Sequence, residues 1–242
     1  MREQAEALRD ALIGSVSHEL HTPIAAIIGS ASILAQSSSI KANDHLSSLV
    51  RVVHKEAKRL NSDIQNLLDS TRINSEGIGA HQSWIDPEDI ISGALDRKQP
   101  MLQGRPVTLA VADDLPLVFA DPALMERALG HVVENAVKYS PAGSPIAISA
   151  QQDGDSITIE VSDEGEGLAY GETERIFERF YRSPRVAGKS PGSGLGLWIA
   201  RALIEDGGGR IQAYSRPAGV GTTFRIDLPV KTQPASDESA DD

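Results

Sequence analysis

Residues 144–168, SPIAISAQQDGDSITIEVSDEGEGL, alternate apolar and polar side chains on both sides of the Asp153-Gly154 pair. A period of two sends every second side chain to the same face, so the stretch predicts two strands joined by a tight turn. Upstream, residues 105–121 (RPVTLAVADDLPLVFAD) give two short β-type runs, and residues 122–139 (PALMERALGHVVENAVKY) give a helix. Downstream come a glycine- and serine-rich loop, a helix from about Leu195 to Glu205 ended by Gly207–Gly209, and a closing strand pair, RIQAYSR and GTTFRIDLP. This mixed order predicts an α+β sandwich over residues 84–230, with helices on one face of a mainly antiparallel sheet. Residues 231–242 are polar and acidic and read as a disordered tail.

The chain before this region has a different period. Leu46, Val50, Val53, Ala57, Leu60, Ile64 and Leu67 recur in alternating steps of four and three, and Leu20, Ile24, Ile27, Ala31 and Leu34 do the same. With the polar connection QSSSIKAND between them, residues 1–75 predict a helical hairpin, and residues 76–83 a linker. Two helices leave much of such a seam wet, so the expectation is a homodimer that completes a four-helix bundle. The chain opens inside helical periodicity without a capping signal (MREQAEALRDALIG), and an upstream sensor region is expected to precede it.

Composition narrows the partners. A net charge of −11 over 242 residues, with no basic stripe bearing aromatics, argues against nucleic acid. The absence of cysteine removes disulfides and thiolate zinc sites and fits a reducing compartment, so the expected location is cytoplasmic. No run approaches the ~18 apolar residues of a membrane span.

One stretch of the hairpin is not explained by packing. In SVSHELHTP, residues 15–23, a helical turn of about 100° per residue aims His18 roughly 165° away from the apolar stripe. Glu19 and Thr22 join it in one exposed patch. Pro23 removes the amide that the Glu19 carbonyl would bond, at ~3 kcal/mol in a regular helix. A zinc-protease reading fails, because Thr22 stands where the second histidine ligand is needed. An exposed neutral imidazole is a nucleophile, and the neighbouring carboxylate can take a proton from the ring.

The second half supplies something to attack. His131, Asn135 and Lys138 lie along one side of a helix that ends at Tyr139; an amide oxygen can hold Mg²⁺, and the lysine supplies a charge for phosphate. Asp163 follows a strand and precedes Gly165 and Gly167, where the backbone turns tightly; a carboxylate there can accept a hydrogen bond from an adenine amino group. Gly192, Gly194 and Gly196 lead into a helix whose first amides suit phosphate, without the lysine-serine pair of a P-loop. Gly221 and Thr222 precede the last strand. Each stretch alone is an ordinary turn or cap; their order is specific.

In that order the sequence resembles the catalytic core of two-component sensor histidine kinases, from about residue 8 to residue 229. SHELHTP resembles the phosphoacceptor box, HVVENAVKYSP the asparagine box, DEGEGL and PGSGLGL the glycine boxes, FERFYRS the phenylalanine box and GTTF the closing motif. GSAS and ENAVKYSP are similar to the potassium-sensing branch. The resemblance implies a dimerisation and phosphotransfer hairpin followed by a Bergerat-type ATP-binding domain, possession of ATP and Mg²⁺, and a response regulator as partner. It makes His18 the phosphate acceptor, Glu19 the proton acceptor, Asn135 the Mg²⁺ ligand and Asp163 the adenine reader. Lys138 and Tyr139 would line phosphates and base. Phe177 and Phe180 would anchor a mobile lid ending at Gly192–Gly196, with Leu197 beside it, and Gly165, Gly167 and Thr222 would complete the nucleotide site. Thr22 would position water for phosphatase action on the regulator. Two positions depart from the family: His21 replaces the commonest arginine, and His131 an asparagine, which makes the metal site weaker or more sensitive to pH. Two rival readings keep the fold: an ATP-gated interaction module, and a protein that acts mainly as a phosphatase.

Overall fold

The computed structural model describes residues 22–72, 81–186, 192–216 and 220–231, which fall into two compact units. The first unit contains helix α1 (residues 22–36), a short α2 (Ser38–Lys41) and the long α3 (Asp44–Arg72). His18, Glu19 and His21 lie outside the described residues, as do residues 73–80 of the linker region and residues 232–242 of the acidic tail. Asn43 holds the α3 start, its Oδ1 accepting from the Leu46 amide at 3.1 Å. Across the hairpin, Ser32 Oγ meets His54 Nε2 at 3.0 Å.

Of the expected seam, Ile24, Ala31 and Ala57 are buried, whereas Ile27, Leu34, Leu46, Val53 and Leu60 are each 41–51% exposed. One chain therefore covers only part of its own stripe. The remainder is apolar surface left in contact with water, which is unfavourable.

The second unit is built on a five-stranded sheet in the order β2-β4-β5-β7-β6. Its strands are β2 (Val107–Val111), β4 (Ile146–Asp153), β5 (Ser156–Ser162), β6 (Arg210–Ser215) and β7 (Thr222–Pro229). Only β2 and β4 run parallel; the other pairs are antiparallel, as expected. Gly154, at φ 60°, makes the two-residue turn from β4 to β5. Alternation buries one face: Ile146, Ile148, Ile157, Ile159, Phe224 and Ile226 are all nearly inaccessible. On the other face a polar network replaces apolar packing: Arg225 donates to Asp227 and Asp153, both at 2.8 Å, and the Thr158 hydroxyl donates to Asp227 at 2.7 Å.

Helices α4 (Pro87–Leu102) and α5 (Pro122–Tyr139) bring the complementary apolar stripes, with Ile90, Ile91 and Ala94 from one and Leu129, Val132, Val133 and Ala136 from the other. Both begin the same way. Asp86 Oδ1 accepts the Glu88 amide at 2.8 Å and Asp121 Oδ1 the Leu124 amide at 3.2 Å, with a proline at the first helical position in each. The pair is tied by Lys98–Glu134 at 2.6 Å and Arg97–Glu126 at 2.9 Å.

α4 has no counterpart in the sequence reading, and neither does β1 (Ser83–Ile85), which pairs antiparallel with β3 (Val118–Ala120) and sets Trp84 5.2 Å from Phe119. Ser83, read as the last linker residue, is the first residue of that strand.

The Asp121 cap orients the helix that carries the candidate site. Asp121→Ala is expected to lower stability by about 1 kcal/mol, and Asp121→Asn by far less, in urea unfolding followed by circular dichroism.

Candidate functional site

Asp163 is the best-defined polar group in the second unit. It follows the end of β5 and is 1% exposed. Its Oδ1 accepts two backbone amides, Gly165 N at 2.7 Å and Thr222 N at 3.2 Å, while its own amide donates to the Thr222 carbonyl at 2.9 Å. Oδ2 accepts no hydrogen bond among the described residues. Burial pushes the carboxyl above the usual aspartate range, opposed by the two amides and by the Arg216 and Arg105 guanidiniums.

The close approach depends on glycines. A side chain on Gly221 (φ 93°) would collide with the Asp163 carbonyl, and one on Gly165 would lie 2.5 Å from the Tyr139 carbonyl. Gly221 N–H donates to Gly165 O at 2.7 Å. The turn after β5, which also carries Gly167 at φ 68°, is therefore pressed between β7 and the end of α5. This brings Asp163, Gly165, Thr222 and the end of α5 at Tyr139 together.

Along α5, His131, Asn135 and Lys138 are half-buried, and Lys138 Nζ stands 5.2 Å from the centre of the Tyr139 ring. The Asn135 side chain has no hydrogen-bond partner among the described residues. His131 Nε2 is buried and equally unpartnered. Burial first, then Lys98 and Arg127, with Glu134 opposing, lower the His131 pKa to about 4. The ring is therefore neutral at pH 7. Glu134, which burial alone would raise, is held below its usual range by Lys98. Glu134, paired at 2.6 Å, is thus occupied, while Asn135 and the buried His131 Nε2 have no hydrogen-bond partner among the described residues.

Arg105 was not anticipated. Its Nη2 donates to the carbonyls of Val137 at 3.0 Å and Ser140 at 3.3 Å, and its Nη1 to the Ser140 and Ser144 hydroxyls, both at 3.0 Å. One cation thereby caps the C-terminal carbonyls of α5, where the helix dipole is negative, and fixes the turn bearing Lys138 and Tyr139. Arg216, also unanticipated, donates to the Asp163 carbonyl at 3.3 Å.

Phe177 is buried, with the Arg201 guanidinium 5.3 Å from its ring. Residues 178–199 belong to the first unit. There Phe180 has φ 64° and is 58% exposed; its amide donates to the Gly194 carbonyl at 3.0 Å. A side chain on Gly194 (φ 74°) would lie 2.7 Å from the Tyr181 carbonyl. Gly192 is half-buried. Gly196 begins a further helix (Gly196–Asp206), and Leu197 is buried in its first turn. Thr22, in the first unit, is helical and exposed.

The His131 shift fixes a sign. Its folded pKa, about 4, lies below the ordinary 6.5, so unfolding takes up a proton between these values. Its contribution is complete above about pH 6.5 and is lost as pH falls toward 4. Urea unfolding at pH 7.5 and pH 5 is expected to show a larger acid loss in the natural chain than in His131→Asn.

Comparison with known proteins agrees with this geometry. Residues 8–76 match the His Kinase A (phospho-acceptor) domain family, and residues 120–232 match the Histidine kinase-, DNA gyrase B-, and HSP90-like ATPase family. The chain is 36% identical over 244 residues to Sensor protein KdpD of Escherichia coli K12, covering all of this chain and 27% of that protein. It is 33% identical to Sensor-like histidine kinase SenX3 of Mycobacterium tuberculosis H37Rv, covering 96% of this chain and 57% of SenX3. The chain thus spans between about a quarter and somewhat over half of the length of these relatives. Among solved structures, full-length ShkA in complex with AMPPNP superposes with a TM-score of 0.73 at 26% identity, over 93% of this chain and 47% of ShkA. The mycobacterial sensor histidine kinase MprB superposes at 0.56 with 30% identity, over 63% of this chain and all of that one. A phospho-acceptor region followed by an ATPase domain, in the order and with the motifs described, makes this chain a member of the two-component sensor histidine kinases, of which it is a catalytic core.

Proposed function

We propose that the chain phosphorylates its own His18 from ATP and passes the phosphoryl group to an aspartate of a response regulator. The observation that carries the nucleotide half is Asp163: buried, anchored through Oδ1 to two amides, with Oδ2 open. A carboxylate so placed suits the exocyclic amine of adenine, an N–H donor. Lys138 and Tyr139, at the end of α5 that Gly165 abuts, are positioned for phosphate and base. Gly167 and Thr222 would add to this site; the family resemblance assigns Phe177 and Phe180 to anchoring a lid and Gly192, Gly194, Gly196 and Leu197 to the segment that ends it.

Asn135 would hold Mg²⁺; its unpartnered amide suits a hard cation. Mg²⁺ bound there would neutralise charge on the phosphates. The chain's own part is nucleophilic: an unprotonated ring nitrogen of His18 bonds the γ-phosphorus in line, the bond to the β-γ bridging oxygen breaks, and ADP leaves. Glu19 takes the proton from the other ring nitrogen. A positioned neutral imidazole needs no activation beyond that proton's removal. In a separate hydrolytic reaction, Thr22 would position a water that attacks the phosphorus of the regulator's aspartyl phosphate, the carboxylate leaving as inorganic phosphate is released.

The half-exposed stripe of Ile27, Leu34, Leu46, Val53 and Leu60 supports a homodimer, in which a second copy supplies the missing side of a four-helix bundle. Among the described residues no helix is long and apolar enough to cross a membrane. We place this core on the cytoplasmic side of a longer sensor, where ATP is available.

Incubation with γ-labelled ATP tests the reading. Acid-labile, alkali-stable label is expected on the natural chain, none on His18→Gln, and labelling slowed at least about tenfold in Asn135→Ala. Label that survives His18→Gln, or nucleotide binding without any label, would contradict it.

A further inference from the structure

An open sheet ends in two rows of unpaired backbone groups, and the two edges of this one differ. At the β6 edge the Ser215 hydroxyl accepts the Leu168 amide at 2.9 Å and donates to the Leu168 carbonyl at 3.0 Å, and Arg210 sets a charge at the start of the strand. β2, at the other end, has none of the usual guards: VTLAV holds no charge, proline or glycine, and no strand among the described residues pairs with its outer side. The Ile146 amide donates to the Pro106 carbonyl at 3.0 Å and the Ala112 amide to the Ala150 carbonyl at 2.9 Å, so the even-numbered residues are the ones bonded to β4. The amides and carbonyls of Val107, Leu109 and Val111 therefore point outward. Their side chains lie level with Ile146, Ile148 and Ala150 on the apolar face, yet Leu109 is 52% exposed.

Such an edge is a template for another strand, and its own sequence is complementary to it. An antiparallel pairing centred on Leu109 sets Val107 opposite Val111 and Leu109 opposite its copy, each pair exchanging two hydrogen bonds, with Thr108 opposite Ala110 between them. The same register sets Arg105, whose hydrogen bonds all go to uncharged oxygens, opposite the exposed Asp113, so unlike charges bracket the pairing at both ends. Sliding one strand by two residues loses that match. We propose that β2 is an interface between copies of this chain, its outer edge pairing antiparallel with the β2 edge of a second copy to make one sheet across two ATPase domains. A strand this short covers less than the about 1,200 Å² of a stable interface, so the contact is weak alone and gains strength between chains already joined through their helical hairpins.

The natural chain has no cysteine, so single cysteines report the register cleanly. Thr108→Cys and Ala110→Cys are made in separate whole chains and oxidised either co-expressed or each alone. Opposed across the edge, these positions stand about 4.5 Å apart between α-carbons, within disulfide reach, whereas each lies too far from its own copy. Disulfide-linked dimer on a non-reducing gel is expected to be several-fold more abundant in the co-expressed pair than in either variant alone. Leu109→Lys, added to both chains, is expected to abolish the excess while leaving the circular dichroism spectrum unchanged. Equal cross-linking of the pair and the single variants would overturn the proposal, as would an excess that survives Leu109→Lys. Absence of any cross-link, the result for an edge reserved for a strand of a different protein, would overturn it as well.

Discussion

The arrangement depends on one buried carboxylate. Removing a charge from water is costly, and a lone carboxylate in an apolar core would take up a proton or refuse to be buried. Asp163 is retained because the backbone meets it: the amides of Gly165 and Thr222 converge on one oxygen, and the strand-to-strand bond from its own amide to Thr222 holds the carboxyl in place. Those amides can converge only if the turn after β5 and the entry to β7 approach within contact, which glycine at 165 and 221 permits. The second carboxylate oxygen accepts no hydrogen bond among the described residues.

Around this frame, α5 is fixed at three points. Asp121 caps its start, Lys98 grips Glu134 in its fourth turn, and Arg105 gathers the carbonyls at its end. A helix so held presents His131, Asn135 and Lys138 at constant spacing, and a phosphate-bearing ligand meets a surface that needs little reordering. The first unit has the opposite character. Its hairpin leaves apolar side chains half exposed, a surface that the chain's own core does not cover.

Much of this was legible in the sequence because period and composition coincide with burial. Alternation in 144–168 specified β4, β5 and the Gly154 turn, and the apolar spacing of 122–139 gave α5 to the residue. Asp163, Gly165 and Gly221 could be singled out because a carboxylate among glycines is seldom explained by packing. α4 was missed although Asp86-Pro87 announces it as Asp121-Pro122 announces α5. Its stripe is weakened by Gly93 and by Pro100 inside the helix, so the period of 3.6 is blurred. Arg105 could not be found from its neighbours in sequence, since its partners lie 32–39 residues away and include backbone carbonyls. His131 was recognised as unusual, but the direction of its pKa comes from burial and from Lys98 on another helix, which local sequence does not encode.

The central claim, that the open oxygen of Asp163 reads an amino group on a purine, is tested most directly by comparing two nucleotides that differ at that position. ATP presents an N–H donor there, and GTP a carbonyl oxygen that a carboxylate repels. Calorimetric titration of the whole chain is expected to show binding of ATP and none measurable of GTP, and Asp163→Asn, whose amide is ambiguous between donor and acceptor, is expected to narrow that gap. Equal affinity for ATP and GTP in the natural chain would contradict the account.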